Sequence, residues 1–209
     1  ASREAPEPGA PGAAERLGFA RAALAARPEA RLAAIGGRSG SGKSTVARIA
    51  APRLGPAPGA LALRSDLTRK RMFGAEPEAA RLPAEAYRPE VSRRVYARML
   101  KDAGRALRRG WPVLLDAAFL EPGRRAAAEA LAVRAGVPFA GVWLEASAEA
   151  LRARVAARGA DASDADLDVL ERQLARAVDP GGWTVLRAED GPEATAAGVL
   201  AAVRRAAGG

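Results

Sequence analysis

The octapeptide Gly37-Arg38-Ser39-Gly40-Ser41-Gly42-Lys43-Ser44 is the part of this chain best suited to chemistry. Its spacing is G-x-x-x-x-G-K-[ST], which suits a polyphosphate. Glycines let main-chain N–H groups curl around phosphate oxygens where a Cβ would collide, and a helix starting at the end of the loop adds the positive end of its dipole. Lys43 then reaches the β- and γ-phosphates, and the Ser44 hydroxyl becomes a ligand for Mg²⁺. Gly37, Ser39, Gly40, Ser41, Gly42, Lys43, Ser44 and Thr45 are therefore the predicted contacts to ATP or GTP. The plainer alternative is a glycine turn that holds nothing.

Three further groups of residues could act on what the loop holds. Arg64-Ser65-Asp66-Leu67-Thr68-Arg69 stands where an apolar strand gives way to a helix. Asp66 and Arg69 share one side of the new turn, so the carboxylate could take the proton of an attacking hydroxyl while the arginine holds substrate or the transferred phosphate. Asp66 as a simple helix cap is the alternative. Val113-Leu114-Leu115-Asp116 is an apolar strand ending in an acid. Asp116 is expected to support Mg²⁺ or to position a substrate hydroxyl, unless it merely forms a turn. Arg124 and Arg125, at the start of the following helix, offer an anion contact or are surface charges. Arg152, Arg154 and Arg158 precede a polar, glycine-bearing segment. Arg154 and Arg158 share a helix face and could close as a lid that neutralises charge on the phosphoryl group; otherwise they belong to a solvated face.

The elements that must place these residues alternate. Short apolar strands are predicted at 32–36, 60–64, 112–116, 139–144 and 184–187, separated by helices at 43–52, 66–72, 89–109, 123–134, 148–158 and 167–177, with a last helix at 192–206. In the long helix Val91, Val95, Met99, Ala103 and Leu107 recur every four residues with Leu100 beside them, giving one buried stripe. Ser163-Asp164-Ala165-Asp166 reads as a capping box. An additional helix at 13–26 would turn Leu17, Phe19 and Leu24 inward, and residues 1–12 read as a linker or tail. Strands alternating with helices predict an α/β phosphate-loop fold, a five-stranded parallel sheet covered on both faces, in one domain spanning 13–209. Ligands then sit at the carboxyl ends of the strands.

Composition removes several classes of function. With neither cysteine nor histidine, disulfides, thiolate nucleophiles and imidazole bases are excluded. No apolar run reaches membrane-spanning length, and the Ala/Pro-rich start lacks the order of a signal peptide, so a soluble cytoplasmic protein without membrane contact is expected. The net charge of +9 would suit a nucleic acid, yet 30 of the 33 cationic residues are arginine in a chain rich in Ala, Gly and Pro, which looks like codon bias. Those arginines lie beside acids along helices and aromatic residues are few, which argues against nucleic acid as a partner.

With these residues placed, the chain resembles the small phosphate-loop kinases over about residues 30 to 190. Ring-forming ATPases instead carry consecutive acids at a strand end and a helical lid domain. The similarity is to the group holding the 5′-kinase half of phage polynucleotide kinase, zeta toxins, and chloramphenicol and gluconate kinases. There a strand-end D-x-x-R supplies the base and a substrate arginine, matching Asp66 and Arg69; a later Asp, Pro and paired arginines match Asp116, Pro122, Arg124 and Arg125; lid arginines match Arg154 and Arg158. Gly36 to Thr45, Leu63-Arg64-Ser65-Asp66, Arg69-Lys70-Arg71 and Ser163-Asp164-Ala165 are most similar to the ATP-binding C-terminal module of bacterial bifunctional proteins with an aminoglycoside-phosphotransferase-like N-terminal domain. The resemblance implies an ATP- and Mg²⁺-dependent kinase acting on a small-molecule hydroxyl, beside such a domain or partner. A nucleotide-dependent regulatory module for that partner is the alternative, and a nucleic-acid 5′-kinase the second. Polynucleotide kinases of the group carry asparagines after the strand-end aspartate where this chain has Ala117-Ala118-Phe119-Leu120, which weighs against that last function.

Overall fold

The computed structural model describes residues 12–25, 28–76, 82–157 and 164–208. Five strands form one sheet: β1 (Leu32–Gly37), β2 (Leu61–Arg64), β3 (Val113–Asp116), β4 (Phe139–Glu145) and β5 (Thr184–Arg187). Every pairing is parallel and the order is β2-β3-β1-β4-β5. Strands β1 and β3 are buried at every residue, while the edge strands β2 and β5 are partly open. That is why the central runs are apolar without alternation.

Alternate side chains feed two apolar layers. Leu32, Ala34, Val113, Leu115 and Trp143 face α4 (Pro89–Leu107) and α5 (Pro122–Ala135). Ala33, Ile35, Leu114, Val142 and Leu144 face α2 (Lys43–Ala50) and α8 (Pro192–Ala207). On α4 the expected stripe is present: Val95, Met99, Ala103 and Leu107 are buried, with Val91 and Leu100 packed against them. The remaining helices are α1 (Ala13–Ala25), α3 (Ser65–Met72), α6 (Ala148–Ala156) and α7 (Asp164–Leu174).

Several boundaries differ from expectation for identifiable reasons. Helix α2 stops at Ala50 and continues as a 3₁₀ turn, Ala51–Arg53, because Pro52 has no N–H for the helical ladder. In helix α1 the side chain of Leu24 lies outside the described residues, and Leu17 and Phe19 do not turn inward as expected, being 53% and 59% exposed. Two residues apart on a helix, they point roughly 200° from each other, so no single face could bury both. A 3₁₀ turn at Ala84–Tyr87 was not anticipated. Helix α7 begins at Asp164, ahead of the expected start; Ser163 of the capping box, Arg158, and residues 1–11 of the expected tail lie outside the described residues.

Gly36, the last residue before the glycine-rich loop, supports the loop from below. A Cβ there would lie 2.9 Å from Trp143, 3.1 Å from Trp183 and 3.3 Å from Phe119. Gly36→Ala is therefore expected to destabilise the fold by about 1–3 kcal/mol through overpacking, read as a lower urea midpoint with an unchanged slope.

Candidate functional site

The loop between β1 and α2 is shaped by glycine at each point where the chain turns. Gly37, Gly40 and Gly42 have φ of 145°, 81° and 82°. A Cβ on Gly37 would meet Ser41 Oγ at 2.6 Å and the Leu144 carbonyl at 2.7 Å; one on Gly40 would meet the Leu151 carbonyl at 2.8 Å. At Gly42 a Cβ would meet nothing within 4 Å, so only the left-handed backbone requires glycine, and the space before the α2 N-terminus is open. No side chain caps that N-terminus. Its first N–H groups and dipole thus face a space of the kind an anion fills. Lys43 arches back, donating to the Arg38 carbonyl at 2.7 Å and to Ser41 Oγ at 3.4 Å.

Parallel register brings Asp116 to this loop, opposite Ile35 of β1 and Arg64 of β2. Its carboxylate is 4% exposed, and Oδ2 has no hydrogen-bond partner among the described residues. Arg64 Nε, itself buried without a hydrogen bond, lies 3.5 Å from Oδ2. Burial pushes the Asp116 carboxyl above its ordinary pKa, while hydrogen bonding from Ser44 and the charges of Lys43 and Arg64 pull the other way. A buried acid with an orphaned oxygen, next to a hydroxyl at the start of α2, fits a hard cation such as Mg²⁺. Among the described residues no cluster of three acids competes for that role.

Asp66 is not a helix cap, since α3 is capped at Arg64 without a side-chain bond. Its carboxylate, 49% exposed, accepts from Arg64 Nη2 at 2.8 Å. Arg64 therefore bridges the two acids, and the charge of Asp66 is felt at Asp116. Sequence reasoning gave Arg64 no role; its strand-end place opposite Asp116 depends on register, which spacing does not reveal.

Arg69 turns away from Asp66 toward the 3₁₀ turn and α4. It donates to the Ala86 carbonyl and to Ser92 Oγ, and its guanidinium stands 5.1 Å from the Tyr87 ring. Burial lowers its pKa, and the charge of Arg124 acts in the same direction. Arg124 lies 4.2 Å over the Tyr96 ring and bonds Glu121 at 2.8 and 3.0 Å. Arg125 is neither an anion contact nor a surface charge. It is 7% exposed and donates to the carbonyls of Phe119, Leu120 and Asp179. The loop it braces holds Phe119 at φ 50°, with the Phe119 N–H bonded to Tyr96 Oη.

Helix α6 packs on the loop through Leu151 and Val155. Arg154 donates to the Ala188 carbonyl past β5, and Arg152 pairs with Glu171 of α7. A contact that spacing could not foresee ties the loop to α7: Arg38 donates to the carbonyls of Gln173 and Arg176, and the Ser39 N–H donates to Gln173 Oε1 at 2.8 Å. A depression lies elsewhere, at the amino ends of β4 and β5 beside Trp183 and Arg205, and neither the loop nor the two acids line it.

A parallel five-stranded sheet in this order, a glycine-rich loop feeding α2 and a strand-end acid beside it make up the phosphate-loop nucleotide-hydrolase fold, in the variant seen in kinases. Residues 32–180 match the family model AAA_33, described as an AAA domain, and the chain belongs to that family. No curated protein sequence matches it. Among solved structures it is similar to a gluconokinase from Sinorhizobium meliloti, at 23% identity and a TM-score of 0.57 over 87% of this chain and 95% of that one. A sugar kinase from Janibacter aligns at 20% identity and a TM-score of 0.59 over 84% and 95%. The APS kinase of Mycobacterium tuberculosis, in complex with AMPPNP and APS, aligns at 17% and 0.58 over 85% and 99%.

Asp116 supplies a test of the metal assignment. A carboxyl whose pKa is raised by the fold weakens stability above that pKa, and the penalty is relieved as pH falls through it toward the ordinary value. Asp116→Asn is accordingly expected to stabilise the protein in EDTA at neutral pH, with the gain shrinking in acid, and to weaken Mg-ATP binding. Thermal melts in EDTA across pH, alongside calorimetric titration of Mg-ATP, check both parts.

Proposed function

We propose that the chain is an ATP- and Mg²⁺-dependent kinase that transfers the γ-phosphoryl group to a hydroxyl of a small molecule. What supports this most is a second acid: Asp66 joins Asp116 through Arg64 at the edge where the phosphate loop opens. A module that only held nucleotide would need no exposed carboxylate there. The structures of kinases with which the chain shares its fold agree with this reading.

In this proposal the main-chain N–H groups of Gly40 and Gly42–Thr45 receive the phosphates and Lys43 moves from the Arg38 carbonyl to the β/γ oxygens. Ser44 and Asp116 are the residues that would hold Mg²⁺, which when bound neutralises phosphate charge. Asp66 accepts the acceptor's hydroxyl proton as that oxygen bonds to the γ-phosphorus and the bond to the β–γ bridging oxygen breaks, releasing ADP. Arg69 and Arg124 take the acceptor, and Arg154 with Arg158 close over the nucleotide. Most of the rate then comes from positioning and charge neutralisation. Likeness to the C-terminal module of bifunctional proteins adds a proposed phosphotransferase-like neighbour, fused or separate, in the cytoplasm.

The deciding measurement follows the label from γ-labelled ATP across a panel of hydroxyl compounds. Transfer to one of them is expected, and Asp66→Asn should cut turnover about 10²–10⁴-fold with ATP affinity retained. Label released only as free phosphate, whatever the acceptor, would favour a nucleotide-driven switch for a partner domain. Undiminished transfer in the variant would remove Asp66 from the chemistry.

A further inference from the structure

We infer that the acceptor is itself an anion, whose carboxylate, phosphate or sulfate group is held between Arg69 and Arg124 while its hydroxyl faces Asp66. The inference rests on the kinase reading and narrows its substrate class.

The two arginines are positioned by one face of α4. Ser92 accepts from Arg69, and the ring of Tyr96 carries Arg124. Ser92 and Tyr96 are four residues apart and so are neighbours on the helix surface, with Cβ atoms about 5–6 Å apart. Both arginines are therefore anchored to one face of α4, at sites one helical turn apart. Burial lowers the Arg69 pKa and the charge of Arg124 adds to that lowering, in keeping with the common anchorage.

Two like charges held together at a partly buried place destabilise a fold unless something negative joins them. The described partners of Arg69 are a carbonyl, a hydroxyl and a tyrosine ring, all of which orient a guanidinium without neutralising it. Arg124 does have a carboxylate, Glu121, a half-exposed side chain at the N-cap of α5. Arg69 has none among its described partners. A planar guanidinium carries five N–H donors, enough to bond its fixed partners and still grip an oxyanion with two more. The neighbouring Tyr87 ring is 58% exposed, so the pair is reached from solvent. Asp66 precedes Arg69 by three residues on α3, roughly 5–6 Å away between Cβ atoms. A small molecule with a hydroxyl a few bonds from its anionic group spans the two.

The test uses the whole chain saturated with Mg-ADP, so that the phosphate loop is filled, and titrates sodium sulfate by calorimetry. Saturable binding is expected, weakened about tenfold or more in Arg69→Gln and in Arg124→Gln. Because Arg69 also braces the 3₁₀ turn, Arg124→Lys serves as the second variant; it retains charge but loses the bidentate fork, and an intermediate affinity is expected. Absence of sulfate binding to the ADP-loaded protein, or binding equal in all the variants, would overturn the inference. Parallel titrations of acetate and glycerol 3-phosphate separate a carboxylate acceptor from a phosphate or sulfate ester. Sulfate binding at the arginine pair without transfer to any hydroxyl would count against the kinase and not against the anion site; transfer to a neutral acceptor that is indifferent to Arg124 would do the reverse.

Discussion

An aspartate kept out of water without a full set of partners is the constraint that organises this molecule. Asp116 could have been solvated by a loop one residue longer; instead β3 is locked between β1 and β2, and the parallel register stops the acid level with Ile35 and Arg64. Moving it outward would require slipping β3, and a slip of one residue would turn Leu114 and Leu115 to the wrong layers of the core. Packing energy on both faces of the sheet therefore holds a charge where electrostatics alone would not leave it. The glycine-rich loop depends on the same sheet, because Gly37 donates to the Ala118 carbonyl just beyond Asp116.

Arginine is the commonest cation in this chain, and its placements show how little a sequence says about what an arginine does. Arg124 and Arg125 are adjacent at the start of α5, yet about 100° of helical rotation separates their roles. One lies, partly buried, across a tyrosine ring, and the other is sealed in a cage of three carbonyl oxygens. Arg64 and Arg69 differ in the same way: the first bridges two acids, the second is supported only by neutral groups among the described residues. The chemistry of each follows from its neighbours' charge.

Much of the fold was legible because its signals are local. All five strands lie within one residue of their expected ends, since short β-rich runs bounded by glycine, proline or a charge leave little freedom. The loop, Asp66 and Asp116 were equally visible, being written as motif spacing and strand ends. What escaped were relations between distant segments. Arg64 gains its role from strand register, Ser92 and Tyr96 from the packing of α4 on α3 and α5, and Arg125 from a loop 54 residues away in sequence. In α1, apolar content was mistaken for an apolar face, although Leu17 and Phe19 lie on opposite sides of the helix.

The strap between the loop and α7 connects these local and distant features. Arg38 is one of the variable positions inside the glycine-rich pattern, so the pattern itself places no demand on it. In the fold it reaches the Gln173 carbonyl in the last turn of α7, where a cation is favoured by the helix dipole, and the Arg176 carbonyl just beyond, and Gln173 returns the contact by accepting the Ser39 N–H. Helix α7 in turn holds α6 through Glu171 and Arg152, and α6 packs against Gly40. The loop, α6 and α7 thus close a ring of contacts in which each is fixed by the other two. A shift of the loop is felt at both helices, because Leu151 and Val155 of α6 and Leu170 of α7 pack in one buried cluster against it. The residues with no assigned place in the phosphate-binding pattern are the ones that join it to the rest of the molecule.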